Sequence, residues 1–172
     1  MLIEPTEEYL NEVASYKREF LDAGDSMDGA GPLRRSETPE EWLRLVRSFK
    51  DPETVPEKWV ASTQFICVRE SDRRIVGMIQ VRHTLNDFLR RVAGHIGYSV
   101  RPSERGRGYA KWMLKNVLPY CRSIGLDRVM VSCGTENEAS RRTILANGGV
   151  FDGTALDERE NMTVERYWID LK

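Results

Sequence analysis

Six consecutive residues, Arg105-Gly106-Arg107-Gly108-Tyr109-Ala110, carry the most specific chemistry this chain offers. Glycine lets a backbone approach a ligand with no Cβ in the way. The first amides of a helix lack intrahelical partners and present N–H groups and a positive dipole end to an anion. The run reads as an anion cradle suited to two linked phosphates. Two other phosphate motifs do not fit. A P-loop needs Gly, four residues and then Gly-Lys-Ser/Thr, which occurs nowhere in the chain. A dinucleotide fingerprint would put its third glycine at Lys111, and it needs repeated strand-helix-strand units with an acidic residue about 20 positions on. The plainer alternative is a glycine-bearing turn ahead of a helix.

A cradle works only if a strand delivers the chain to it and a helix carries the chain away. Residues 96–100 are apolar and extended, and residues 109–124 place Ala110, Met113, Leu114, Val117, Leu118, Cys121 and Ile124 along one helical face. Pro119 is expected to kink that helix or end it early. Upstream, residues 6–23 have helical periodicity, 24–33 read as a Gly- and Asp-rich loop, and a second helix starts at Thr38-Pro39 with Trp42, Leu45, Val46 and Phe49 on its apolar face. Residues 64–69, 74–83 and 94–100 then alternate as an antiparallel meander. Beyond the cradle helix come a strand at 128–133, a helix from about 137 to 147 closed by Asn147-Gly148-Gly149, and two strands at 150–154 and 163–171. The order predicts one α+β domain spanning 1–172. Its sheet is mixed and mostly antiparallel, and the strands on either side of the cradle helix form a parallel neighbouring pair joined by a right-handed crossover.

The composition narrows the partners. The chain has 172 residues, 40% of them apolar, enough for a single domain with its own core. With 26 basic and 27 acidic residues the net charge is −1, which gives no electrostatic reason to expect nucleic acid or a membrane. No stretch approaches the roughly 20 apolar residues of a spanning helix, and Met1-Leu2-Ile3-Glu4-Pro5 does not resemble a signal peptide, so a cytoplasmic location is expected. Cys67, Cys121 and Cys133 are odd in number and widely spaced, and only two histidines occur, so neither a disulfide framework nor a metal site is expected.

Arg105, Gly108 and Ala110 match the pattern Arg/Gln-x-x-Gly-x-Gly/Ala, which resembles the coenzyme A pyrophosphate loop of the GNAT family of N-acetyltransferases. The resemblance extends over His95-Ile96-Gly97-Tyr98-Ser99-Val100-Arg101-Pro102 before the loop, and over Asn137-Glu138-Ala139-Ser140 and Asn147-Gly148-Gly149-Val150-Phe151 after it. Gly94-His95-Ile96-Gly97-Tyr98, with Ile75-Val76-Gly77 to Arg82-His83, is most similar to a bacterial branch of such acetyltransferases, while the first 60 or so residues match only loosely. The resemblance implies a GNAT-like fold in which acetyl-CoA threads between two splayed parallel strands flanked by helices. Amides from Arg105 through Gly106, Arg107, Gly108, Tyr109 and Ala110 would hold the pyrophosphate, main-chain groups at Ser99 and Val100 would pair with the pantetheine, and Asn137, with Ser140 nearby, would meet the coenzyme arm. Asn137 is equally a helix cap, and Thr135-x-x-Glu138 spells a capping box. Arg107, Lys111, Lys115, Arg141 and Arg142 are either phosphate partners or a solvated helix face.

The implied activity is acetyl transfer from acetyl-CoA to a primary amine by direct attack in a ternary complex. The alternative is an acyl-CoA-binding sensor domain of the same fold without turnover. Such transfer needs a neutral amine, an oxyanion donor and a proton for the leaving thiolate. His95 is the candidate base, or else a buried structural imidazole, and a main-chain N–H near Val100 is the oxyanion donor. Many relatives carry Tyr seven residues after the motif B Asn, where this chain has Ile144; Tyr98, Tyr109, Tyr167 or water would have to replace it. The N-terminal part, 1–60, is expected to shape the acceptor site. Asp22, Asp25 and Asp28 would attract the amine, with Trp42 and Trp59 as walls, or else they are solvated loop acids and core tryptophans. The acceptor itself is not specified, and a homodimer is an open expectation.

Overall fold

The computed structural model describes residues 1–171. Its elements are β1 (Leu2–Ile3), α1 (Leu10–Asp22), α2 (Pro39–Ser48), β2 (Ser62–Arg69), β3 (Arg74–Arg82), β4 (Ile96–Val100), α3 (Tyr109–Ser123), β5 (Arg128–Gly134), α4 (Glu138–Leu145), β6 (Val150–Asp157) and β7 (Met162–Asp170). Seven strands form one sheet in the order β1-β2-β3-β4-β5-β7-β6. Every neighbouring pair is antiparallel except β4 with β5, which is parallel. This is the α+β plan expected from the sequence.

Each helix forms where its apolar residues recur on one face. In α1 these are Val13, Tyr16 and Phe20, all fully buried. In α2 they are Trp42, Leu43 and Val46, after an N-cap at Thr38 whose hydroxyl accepts the Glu41 N–H at 3.1 Å and a Pro in the first turn. In α3 they are Met113, Leu114, Val117 and Cys121. The two faces of the sheet thus carry two cores. One packs α3 and α4 residues on Val76, Ile79, Ile96, Val129 and Val131; the other packs α1, α2 and their loop on Ile66, Val68, Ile75 and Met78. Because helices cover both faces, β2 and β3 are buried almost without alternation.

Five details depart from what the sequence pattern predicts. Residues 2–3 add an edge strand beside β2, and a π-helical turn, Leu89–Ala93, precedes β4. The helix α3 continues past Pro119 to Ser123, because the core contacts of Val117 and Cys121 hold both sides of the proline in place. Finally α4 stops at Leu145, two residues short of the expected end, while β6 runs three residues longer to Asp157. No helix among the described residues is long and apolar enough to cross a membrane.

Candidate functional site

The chain leaves β4 through a short 3-10 turn, Pro102–Glu104, and enters α3 with Gly106 at φ 75° and Gly108 at φ 81°. Both values lie in the left-handed region that favours glycine, and a Cβ at either position would project into open space. The local backbone, not crowding, is what calls for glycine here. The amides of residues 106–111 donate to no acceptor among the described residues; the first helical bond at this end runs from the Trp112 N–H to the Gly108 carbonyl at 3.0 Å. Six adjacent unpaired N–H groups at the positive end of a 15-residue helix have the chemistry to receive an anion. Beneath it, the buried Glu104 carboxylate is held below its usual pKa chiefly by Arg69, at 2.7 Å, with Arg107 at 3.1 Å, so the cradle floor is not negative.

Next to the cradle the sheet opens. β4 pairs with β3 along its whole length, Gly77↔Val100 to Val81↔Ile96, but with β5 only at Ile96↔Val131. Bonds from the Arg82 N–H to the His95 carbonyl and from the Arg101 N–H to the Val76 carbonyl turn the main chain of alternate residues toward β3. By alternation Tyr98 and Val100 turn theirs toward the gap. The Val100 carbonyl there accepts from the Arg105 Nε at 3.2 Å. Ser99 faces the other way: its hydroxyl and carbonyl are each 3.0 Å from the Tyr16 hydroxyl of α1.

His95 lies at the closed end of the splay. Its Nδ1 accepts the Met130 N–H at 2.9 Å, and the His95 main-chain N–H donates to the Met130 carbonyl at 2.7 Å. Burial, then the charges of Arg82 and Arg90, push its pKa down to about 4. The imidazole is therefore neutral with its acceptor lone pair already used and its proton on Nε2, an arrangement that offers an amine no base.

Tyr98 projects to the α4 side, where its hydroxyl lies 2.7 Å from the Ser140 Oγ and 3.4 Å from the Ser140 carbonyl. Burial raises its pKa, so the phenol keeps its proton. The other tyrosines are placed differently. Tyr167 donates to Glu165 at 2.6 Å, and Tyr109 opens α3 beside the cradle. Ile144 is fully buried in the core one helical turn beyond Ser140. Asn137 caps α4 by accepting the Ser140 N–H at 3.0 Å, which leaves its amide NH2 unpartnered among the described residues. Glu138 bonds Arg141 instead of closing a capping box with Thr135. Arg141 also pairs with Glu165 and Arg142 with Glu138, leaving Lys111 and Lys115 unpaired among the described residues.

The N-terminal segment lies across the opposite face of β4. Gly29, at φ 71°, passes so close that a Cβ there would run into the Gly97 carbonyl. Its carbonyl accepts from the Gln64 amide at 2.8 Å. Asp25 is held 2.6 Å from Arg105 and Asp28 accepts the Ser26 hydroxyl at 2.9 Å, so two of the three loop acids are already engaged. Trp42 is no pocket wall: it is fully buried in the α1–α2 core and donates to the Ala30 carbonyl at 2.8 Å. Trp59 is 41% exposed and stacks with Phe49 and Arg35. Cys67, Cys121 and Cys133 are free and buried, burial raising each thiol pKa, and no group of three His, Cys, Asp or Glu side chains suited to a metal occurs among the described residues.

Tyr16, Arg82 and Arg101 escaped the sequence reading. In sequence Tyr16 is one more apolar position of the helical run 6–23. Arg101 is 1% exposed; it follows β4 and reaches Glu12 at 3.1 Å and Glu19 at 3.2 Å, clamping the strand end to α1. Nothing local marks it, since its partners lie more than 80 residues away in sequence.

The geometry agrees with known proteins. A structure of ribosomal-protein-S5-alanine acetyltransferase from Vibrio fischeri superposes with TM-score 0.75 at 16% identity, covering 99% of this chain and 92% of that one. Spermidine N-acetyltransferase from Vibrio cholerae, in complex with CoA and spermine, gives 0.67 at 14% identity over 99% and 95% of the two chains. A structure from Salmonella typhimurium holding acetyl-CoA as its cofactor gives 0.66 at 12% identity over 100% and 94%. At these identities the likeness shows the fold. None of the curated proteins matches the sequence. The model of the acetyltransferase (GNAT) domain matches residues 2–150, most of the chain, and the chain belongs to the GNAT acetyltransferase family.

Proposed function

We propose that this domain transfers an acetyl group from acetyl-CoA to a primary amine in a ternary complex. The observation that carries the reading is the juxtaposition of a β4 edge free toward β5 with six unpaired amides at the start of α3. The fit is chemical. A pyrophosphate is a doubly anionic acceptor matched to residues 106–111, and a pantetheine arm, with its amides, can bond as an added strand to the main chain of Tyr98 and Val100. The Asn137 amide, unpartnered among the described residues, would meet the same arm. When bound, the coenzyme supplies the activated acetyl carbon: the amine nitrogen bonds to it, the carbon–sulfur bond breaks, and a proton lost by the amine balances the departing thiolate.

The chain's own groups do the rest. Of the main-chain N–H groups near Val100 that turn toward the gap, one not taken by the pantetheine is the donor for the developing oxyanion. Tyr98, kept protonated by burial, enters from β4 at Ser140 and donates to the leaving sulfur in place of the tyrosine that Ile144 replaces. His95 stays neutral and takes no proton; the amine loses its proton to water at the open side of the splay. Residues 1–60 form the acceptor side through Tyr16, Gly29 and the Asp25–Arg105 pair.

Thiol release from acetyl-CoA over a panel of amines, run beside calorimetric CoA binding, tests this. Turnover with at least one amine is expected. Tight CoA binding with no turnover for any amine would favour the sensor reading, to which the committed lone pair of His95 lends weight.

A further inference from the structure

Six arginines are buried or half-buried: Arg69, Arg74, Arg82, Arg101, Arg141 and Arg166. Five of them reach a carboxylate: Arg69 Glu104 at 2.7 Å, Arg74 Glu19 at 3.3 Å, Arg101 Glu12 at 3.1 Å, Arg141 Glu165 at 2.8 Å and Arg166 Asp152 at 3.6 Å. Arg82 alone makes no ion pair among the described residues. A half-buried guanidinium with no paired carboxylate keeps its charge available to an anion that arrives from solvent.

The surroundings of Arg82 show where that anion would sit. The register Val81↔Ile96, with the Arg82 N–H bonded to the His95 carbonyl at 2.8 Å, sets Arg82 directly across from His95 on one face of the sheet. It is the face of Gly97, Ser99 and Trp168, whose ring lies 6.1 Å from the His95 imidazole, and so the acceptor face, opposite α3 and α4. The Arg82 Nη1 donates only to main-chain carbonyls, Gly94 at 3.1 Å and Ala93 at 3.5 Å. Its Nη2 lies 3.7 Å from where a Cβ on Gly97 would be, over β4, and has no acceptor among the described residues. Burial pushes the guanidinium pKa down to about 10, which the charge of Asp28 only partly offsets. Beside it, the Met130 N–H on His95 Nδ1 fixes the tautomer that carries a proton on Nε2, a second donor without an acceptor. Arg90 adds positive charge to the same corner.

We propose that Arg82 and the Nε2–H of His95 bind a carboxylate carried by the acceptor, so that the amine acetylated here belongs to an acid, such as an amino acid or a short peptide, and not to a polycation. The inference rests on the transferase reading for the position of the amine. A guanidinium fork plus an imidazole N–H matches the two oxygens of a carboxylate, while among the loop acids Asp25 is paired with Arg105 and the charge of Asp28 is felt by Arg82.

The test uses matched acceptors, amino acids and ω-amino acids each beside its own carboxamide, with spermidine as the polycation. Thiol release gives KM and kcat, and calorimetry on the protein–CoA complex gives acceptor affinity without turnover. The acids are expected to bind about 10- to 100-fold more tightly than their amides, the range of a charged hydrogen bond. R82Q should bring that ratio to about one and R82K should restore part of it, with CoA affinity reporting that each variant is folded. Equal KM and equal affinity for acid and amide in the natural protein, a preference for spermidine, or an acid preference that survives in R82Q would each overturn the proposal. Acid-selective, Arg82-dependent binding with no turnover would retain it and retire the transferase reading. Turnover without acid selectivity would do the reverse.

Discussion

Replacing Tyr98 by Phe removes one oxygen and leaves the ring that packs against the α3–α4 core. In the resting protein the lost contact is a single neutral hydrogen bond, 2.7 Å to the Ser140 Oγ, at a site where water can reach the serine, so the stability cost should be about 0.5–1.5 kcal/mol. For a domain of this size that is a fall in Tm of roughly 1–6 °C. The catalytic cost is different in kind. A coenzyme thiol with a pKa near that of a free thiol, about 8.5, ends protonated at neutral pH, so a positioned donor assists its departure. A positioned proton donor is worth at least about 100-fold, equivalent to roughly 2.7 kcal/mol on the barrier. Y98F should therefore lose about 100-fold in kcat with near-native coenzyme affinity, and its loss should shrink for a thioester with a more acidic leaving thiol. Melting curves, calorimetric CoA binding and thiol-release kinetics on the same preparation separate the effects. A kcat within threefold of the natural protein, with the stability loss present, would refute the assignment of Tyr98 as donor.

Three further outcomes follow from the geometry. Because the folded pKa of His95 lies near 4 and its unfolded value near 6.5, its contribution to stability is complete above about pH 6.5 and is lost as pH falls toward 4, on the order of 3 kcal/mol in all. H95N, whose side-chain oxygen can accept the Met130 N–H, should flatten that part of a urea-denaturation series, and an unchanged slope would count against a neutral buried His95. R101M removes the cation from Glu12 and Glu19, which still reach water, so about 3 kcal/mol of stability should go, the low end for a broken buried pair; a loss below about 1 kcal/mol in urea melts would contradict the clamp. Placing Ala at Gly29 forces the loop away from Gly97, and it should raise the acceptor KM more than it changes CoA affinity; equal effects on both would mean that the loop does not serve the acceptor side.

Local sequence patterns were enough for the turn from β4 into α3, since Gly106 and Gly108 sit between a strand and a helix and each carries the positive φ that suits a glycine. They were enough for most of the sheet as well, because the short apolar runs of β2, β3 and β4, bounded by polar and turn-prone residues, differ plainly from the helical spacing of α1 and α3. What they could not convey is direction over distance. Trp42 has the same letter whether it walls a pocket or fills a core, and only the helix packing that buries it decides. His95 is a titratable base in sequence and a spent acceptor in space, because Met130, 35 residues away, donates to it. Arg101 and Arg82 look alike beside apolar strands, yet one finds two glutamates on α1 and the other finds none. The edge strand Leu2–Ile3 is too short for any periodicity and exists only because β2 offers it a partner.

The single parallel bridge between β4 and β5 also divides the molecule mechanically. On one side β1 to β4 form a sub-sheet that carries α1 and α2; on the other β5, β7 and β6 form a second that carries α4. Besides that bridge and shared packing under α3, the two are tied by a few side-chain and main-chain links, among them Tyr98 to Ser140 and His95 to Met130. A ligand strand laid into the splay would act as a rivet. Amide exchange should then slow on both banks at once, in β4 and in β5, by the same factor, whereas a ligand held only at the cradle would protect the start of α3 alone. At a hundredfold excess over Kd that shared protection amounts to about 2.7 kcal/mol, enough to turn two loosely coupled halves into one cooperative unit.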